Sequence, residues 1–305
     1  MKLRVLGSAA GGGFPQWNCN CPMCKGVREG TLNARRRTQS SIAVTDNGSD
    51  WVLFNASPDI LTQLQQFEQL QPARQLRDTG IASVVLMDAQ IDHTTGLLML
   101  REHQAALPVW CSAAVREDLT AGNPLFRVLG HYCGVDWHAL EPGTPVSGLA
   151  GAASIQFTPL ALISNAPPYS PHRDQPVAGD TLGMLMRDTM SNKSVFYAPG
   201  LGQMEDHVWV AMQQADVVLI DGTMWTDDEM IRVGAGRKTA ASMGHLAQSG
   251  PGGMIEWLDK LPADTRKVLI HINNTNPILD EDSEQRRILT EHNIEVAFDG
   301  MEISL

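Results

Sequence analysis

The chain has 305 residues, 43% of them hydrophobic, and 34 acidic side chains against 23 basic ones give it a formal net charge of −11. This length and apolar fraction allow a sizeable core, while the acidic balance argues against a nucleic-acid enzyme, which would carry a basic face. No segment reaches the roughly 20 continuous apolar residues of a membrane span.

The chain opens on a strand-like run, Leu3–Leu6, too short in its apolar stretch for a secretory signal. The glycine-rich Gly7–Gly13 that follows lacks the G-x-G-x-x-G spacing, because Ala9 holds the second glycine's place, and lacks the Gly-Lys-Ser/Thr of a phosphate loop. It reads instead as a flexible loop approaching a metal. Next comes Cys19-Asn20-Cys21-Pro22-Met23-Cys24. The chain has five cysteines, an odd number, and three of them fall in these six residues. That is the pattern of a metal clip in a reducing compartment, not of a disulfide framework, and it makes the cytoplasm the expected location. Three thiolates so close can converge on one Zn²⁺, which needs a fourth ligand. The spacing leaves that ligand open among His245, another His, Asn274, water or a neighbouring subunit. Cys111 and Cys133 read as core residues. Arg35-Arg36-Arg37 is the one basic cluster, read as a solvated or substrate-facing patch.

Strands are expected at Ser41–Val44 and Trp51–Phe54, then a helix over Ile60–Phe67 behind Ser57-Pro58-Asp59. The apolar run ending at Met87 leads into Asp88-Ala89-Gln90-Ile91-Asp92-His93-Thr94-Thr95-Gly96-Leu97. A polar loop between a strand and a helix is where catalytic and metal-binding side chains are commonly presented. Asp92 offers a hard anionic oxygen and His93 an imidazole nitrogen, and adjacent residues in a tight loop can face one ion. The plainer alternative has Asp92 capping the next helix and His93 on the surface. Further strands are expected at Val109–Cys111, Leu182–Met186, Ser194–Tyr197, Val217–Ile220 and Val268–Ile272, and further helices at Leu97–Ala106, Glu205–Gln214, Met254–Leu261 and Ser283–His292. Pro/Gly-rich Gly11–Pro15, Asn165–Gly179, Pro199–Gly202 and Ser249–Gly253 fall between elements as loops. The elements do not alternate strictly, which favours an α+β fold with sheets packed on one another and helices outside, as a single domain over residues 1–305.

Two later histidines complete the set. His271 ends an apolar strand, and with Asp92 and His93 it makes two imidazoles and one carboxylate. That is the facial triad of non-heme Fe(II) oxygenases, and the same ligands plus water could hold Zn²⁺. His245, in Met243-Gly244-His245-Leu246, is a candidate proton donor or acceptor.

The Asp88–Leu97 segment resembles the H-x-H-x-D-H-x-x-G loop of the metallo-β-lactamase superfamily, with Asp88 and Gln90 in place of the first two histidines. Leu6–Cys19, the cysteine clip, Arg36–Ser41, the Asp88–Gly96 loop and His271-Ile272-Asn273-Asn274-Thr275-Asn276-Pro277 together resemble the coenzyme PQQ synthesis protein B family, a distant branch of that superfamily, over the whole chain. The resemblance implies a four-layer αββα sandwich with the metal at one edge of the sheets. It implies a role in making pyrroloquinoline quinone (PQQ): iron-dependent hydroxylation, with dioxygen, of the tyrosine ring in a cross-linked Glu–Tyr precursor. It also links the clip to a structural zinc and to a homodimer, and His245 to the Gly-His-Ser-Thr segment of tRNA-processing relatives. In phosphonate-pathway relatives a His three residues after the late-strand His closes the clip, and Asn274 stands there. No His ends the Leu160–Asn165 run, and Pro199-Gly200 stands where a bridging Asp is expected. Two-metal hydrolysis needs two ions about 3.5–4 Å apart, so these losses count against it. They leave Asp88 and Gln90 as candidate catalytic residues that bind water, substrate or a weak metal. The expected partners are the tyrosine-derived precursor and dioxygen, with no nucleic acid and no membrane; Arg35–Arg37 could pair with amino-acid carboxylates. Two other functions fit the same residues: a zinc-dependent hydrolase of the precursor, and a soluble carrier of PQQ or its precursor towards the periplasm.

Overall fold

The apolar runs pair into two sheets packed face to face in this computed structural model, which describes residues 1–305. The first sheet takes β1 (Lys2–Gly7), β2 (Ser41–Thr45), β3 (Trp51–Phe54), β4 (Ile81–Val85), β5 (Leu107–Cys111) and β6 (Val135–Ala139). The second takes β7 (Ile155–Ala161), β8 (Leu182–Asp188), β9 (Ser194–Ala198), β10 (Val217–Asp221), β11 (Arg266–Ile270) and β12 (Ile294–Val296). A last strand, β13 (Glu302–Ser304), returns to the first sheet beside β1. The orders are β13-β1-β2-β3-β4-β5-β6 and β12-β11-β10-β9-β8-β7. Each sheet repeats one plan: an antiparallel meander, β1–β2–β3 or β7–β8–β9, continues into three parallel strands.

Central strands are buried on both faces, so they read as unbroken apolar runs. In β10, Val217 and Leu219 join the core between the sheets, while Val218 and Ile220 face an outer helical layer. In β3, Val52 and Phe54 point inward, and Trp51 and Leu53 outward. The helices Asp206–Gln214, Met254–Leu258 and Glu284–Glu291 cover the second sheet, and shorter helical turns such as Ile60–Gln65 cover the first. The result is the expected αββα sandwich. No helix is long and apolar enough to cross a membrane.

The departures from expectation are local. Leu97–Ala106 is not a helix: a short helix, Ile91–Thr94, passes into a 3₁₀ segment, Thr95–Leu100, and β5 begins at Leu107. The strand expected to run through Ile272 ends at Ile270, because His271 adopts the left-handed conformation with φ +60°, which takes it out of the ladder. β6 and β7 are edge strands with polar alternation and, in β7, Pro159, which hides them from a search for apolar runs. The second half of the cysteine clip is a helix, Pro22–Glu29, whose buried residues are Cys24 and Gly26. Its apolar stripe of Met23, Cys24 and Val27 packs on the outer core of the second sheet but spans only one turn, and Pro22 marks its first turn.

Candidate metal centre

The strand β4 carries the chain to Asp88, where a backbone bridge to Thr181 ties it to the second sheet. Gln90 takes the cap position of the Ile91–Thr94 helix, so Asp92 and His93 lie within the helix and Asp92 does not cap it. The turn is held by Gly96: its N–H donates to Ala56 O (2.8 Å) and Ala56 N–H donates to His93 O (2.7 Å). A Cβ on Gly96 would stand 2.1 Å from Ser57 O, so the glycine three residues after His93 is a packing requirement.

Across the sheet edge, the left-handed backbone at His271 aims its ring at this helix. His271 Nε2 lies 3.3 Å from Asp92 Oδ2, and His93 Nε2 lies 3.7 Å from the same oxygen. One ligand atom from each of the three falls within 4.8 Å of the others. His93 Nε2 is buried with no hydrogen-bond partner. A buried, orphaned imidazole nitrogen facing a carboxylate and a second imidazole fits a divalent cation. The far nitrogens are tied down: both Asp88 oxygens lie 2.8–2.9 Å from His93 Nδ1, and Thr223 Oγ1 lies 2.9 Å from His271 Nδ1. Each contact places the ring proton on Nδ1 and leaves Nε2 as the donor to a metal. Burial alone would lower the His93 pKa, but Asp88 and Asp92 outweigh it and push it up to about 9. Against burial, His93 and His271 hold Asp92 far below the usual carboxylate range.

Asp221, His245 and His271 form a neighbouring cluster, but here the carboxylate is already saturated. Its oxygens accept from Leu201 N–H (2.8 Å), Thr223 N–H (2.9 Å), Thr223 Oγ1 (2.6 Å) and His245 Nδ1 (2.7 Å). Asp221 therefore orients His245 and leaves Nε2 as its free ring nitrogen. Burial would lower the His245 pKa, and Asp221 carries the net shift upward. Sequence reasoning missed Asp221 and Thr223. The available signal was the same as for His271: polar residues where an apolar strand, β10, ends.

The cavity over the triad measures about 230 Å³ and includes His245 and Asn273 in its wall. Asp88, Gln90, Ser164, Asn165 and Gly200 also line it, at the positions where superfamily histidines and a bridging Asp are missing. Asp88 is engaged by His93. Gln90 Nε2 donates to Asn165 O (3.0 Å), Ser164 Oγ to Gly244 O (2.9 Å) and Asn165 Nδ2 to Ser242 O (3.0 Å). These positions offer no imidazole for a second ion. No Lys or Arg lines the cavity, so Arg35–Arg37 do not meet a carboxylate there. Arg37 is buried elsewhere, and Arg35 and Arg36 are exposed.

The three clip sulfurs also lie within 4.8 Å of one another, and none is in a disulfide. Burial, with Cys19 and Cys24 close by, pushes the Cys21 thiol up to about 12; three thiolates at this spacing need a cation. The Asn274 side-chain amide lies over the clip, its Nδ2 3.1, 3.7 and 3.3 Å from the sulfurs of Cys19, Cys21 and Cys24. The two ends of an amide differ little in shape, and a flip presents Oδ1 to the same point. His245, another option for the fourth ligand, lines the triad cavity instead. Cys111 is core and Cys133 packs beside it.

Residues 50–272 match the family model for the beta-lactamase superfamily domain. The chain is 67% identical to coenzyme PQQ synthesis protein B of Azoarcus sp. (strain BH72), with all of both chains covered. It is 61% identical to the protein of the same name from Cupriavidus necator, covering all of this chain and 99% of that one. The crystal structure of Zn²⁺-bound PqqB from Methylobacterium extorquens superposes with a TM-score of 0.91 at 33% identity over the whole of both chains. A diphosphatase from the PhnP family shares the fold at 18% identity, with a TM-score of 0.70 over all of this chain and 97% of that one.

Proposed function

The chain belongs to the coenzyme PQQ synthesis protein B family, with a beta-lactamase superfamily domain, and from that premise we propose that it acts in PQQ biosynthesis as a mononuclear, iron-dependent hydroxylase of a tyrosine-derived precursor. One observation carries this reading: Asp92, His93 and His271 turn one carboxylate oxygen and two imidazole nitrogens to a common point, while the positions of the superfamily's other ligands offer no second set. An iron(II) ion held there would supply redox chemistry with dioxygen at the coordination positions the protein leaves open. In the overall reaction one oxygen atom enters the ring and the other leaves as water, with two electrons from an external reductant.

The remaining roles fall to the chain's own groups. Asp88 and Thr223 hold the two imidazoles with Nε2 towards the ion. His245, oriented by Asp221, presents Nε2 to accept the phenol proton. Gln90, Asn165 and Asn273 offer amides to the polar end of the substrate, and Met224 and Met243 supply apolar wall. A zinc-dependent hydrolase is the second reading, favoured by the Zn²⁺-bound relative; the missing second ligand set weighs against it.

The test is mass spectrometry of the cross-linked Glu–Tyr precursor after incubation with Fe(II)-loaded protein, reductant and ¹⁸O-labelled dioxygen. Label on the ring, lost in Asp92→Ala, is the expected result. Unlabelled substrate with iron-loaded protein sinks the hydroxylase, and turnover that ignores oxygen and needs zinc selects the hydrolase.

A further inference from the structure

The arginine cluster has a cavity of its own. Arg35, Arg37 and Arg286 line a space of about 490 Å³ between the Glu284–Glu291 helix, β12 and the turn before β13, within the size range of small-molecule sites. In a chain of net charge −11, three guanidiniums meet here with little to balance them. Arg35 Nε pairs with Glu281 at 2.9 Å and its guanidinium lies 4.7 Å over the Phe298 ring. Glu295, the other carboxylate of the wall, is taken by Arg266 (2.6 and 2.9 Å). Arg286 and Arg37 have no carboxylate within ion-pair distance.

Arg37 is the telling residue. It is only 3% exposed, and a buried guanidinium is costly unless its donors are met. Its Nη1 reaches Ser8 Oγ (3.0 Å) and Ala297 O, but its Nε is buried with no partner. Burial foremost, with the charges of Arg286 and Arg35, lowers its pKa to about 10 in spite of Asp299. Burial and Arg35 lower that of Arg286 as well, in spite of Glu281. Three guanidiniums around one cavity, two of them without a carboxylate partner, describe a site whose counter-ion is a ligand.

We propose that this cavity binds a small oxyanion ligand, carboxylate- or phosphate-bearing, through Arg35, Arg37 and Arg286, apart from the metal centre. Guanidiniums engage both oxyanions by forked hydrogen bonds, and Phe298 supplies an apolar wall. The probes are citrate and inorganic phosphate, titrated calorimetrically into the full-length, metal-loaded protein. Saturable binding is expected for at least one of them, weakening as salt rises. Tighter citrate points to a polycarboxylate ligand, and tighter phosphate to a phosphoryl one. Arg286→Gln, a partly exposed helix position, should weaken binding about tenfold, and Arg35→Gln with Arg286→Gln should abolish it. Asp92→Ala, which disables the triad, should leave it unchanged. No saturable binding of either probe up to about 10 mM overturns the proposal. So does binding that survives the double arginine variant, or that vanishes in Asp92→Ala.

Discussion

The two candidate cation sites of this protein are built from opposite materials. The cysteine clip is local: its three sulfurs come from six consecutive residues that run into the cap and first turn of one helix, with the Asn274 side-chain amide lying against them. Soft thiolates gathered in one short segment suit a structural zinc site. The triad is assembled from two sheets, with hard and borderline donors, a cavity of about 230 Å³ over it, and a second ring of residues that orients each imidazole. Open positions and oriented ligands are what chemistry requires. Yet the sites share one strap. His271 serves the triad, Asn273 lines its cavity, and Asn274 meets the clip.

The largest effect should come from breaking the triad. Asp92→Ala and His271→Ala should each lower its metal occupancy by more than tenfold while the clip keeps its ion, as read by elemental analysis. If both variants hold wild-type metal, the triad is wrong. Cys24→Ser is the converse: loss of the clip ion should cost several kcal/mol of stability, a Tm fall of roughly 5–8 °C for a chain of this size. The triad metal should weaken only a few-fold through the shared strap. An unchanged Tm would deny the clip its structural role.

Asp88→Asn tests orientation without removing a ligand, and about a 10–100-fold loss of metal affinity is expected by competitive titration above about pH 9, where no proton competes. The same contact predicts a pH dependence. With His93 raised to about 9 in the metal-free protein, metal uptake below that pH must displace a proton. Apparent affinity should therefore rise towards tenfold per pH unit and level off above about pH 9. In Asp88→Asn the plateau should begin at lower pH; identical profiles would show that Asp88 does not tune His93.

The smallest effect concerns the strap. Glu229, buried beneath it, accepts from Thr275 Oγ1 (2.5 Å) and Trp225 N–H (2.6 Å). Burial raises its pKa from 4.5 to about 7 against those bonds. The folded state then binds this proton more tightly than the unfolded state. The stability it contributes is complete below about pH 4.5 and is lost as pH rises through 7, at most on the order of 3 kcal/mol. Glu229→Gln should flatten the stability profile between pH 5 and 8, measured by denaturant unfolding. A parallel profile would show that Glu229 ionises freely.

What the sequence determined by itself lies at short range. The clip, the Asp92-His93 pair, the layered sandwich and the polar residue ending a late apolar strand were all legible, because spacing and periodicity report contacts within a few residues. The edge strands and the helix at Pro22–Glu29 were not, since β6 and β7 alternate apolar with polar residues instead of running unbroken, and the helix's apolar stripe spans a single turn. Asp88 is expected from the sequence to bind water, substrate or a weak metal, and its oxygens are instead engaged by His93 Nδ1. The Arg35–Arg37 cluster reads as a solvated or substrate-facing patch, whereas Arg37 is buried beside another cavity. Asp221 and Thr223 went unread. Only the tertiary structure decided these, because packing the two sheets sets them. Asp92 and His271 meet across 179 residues of chain, and which nitrogen, oxygen or guanidinium faces the gap depends on how the strand ends are brought together there.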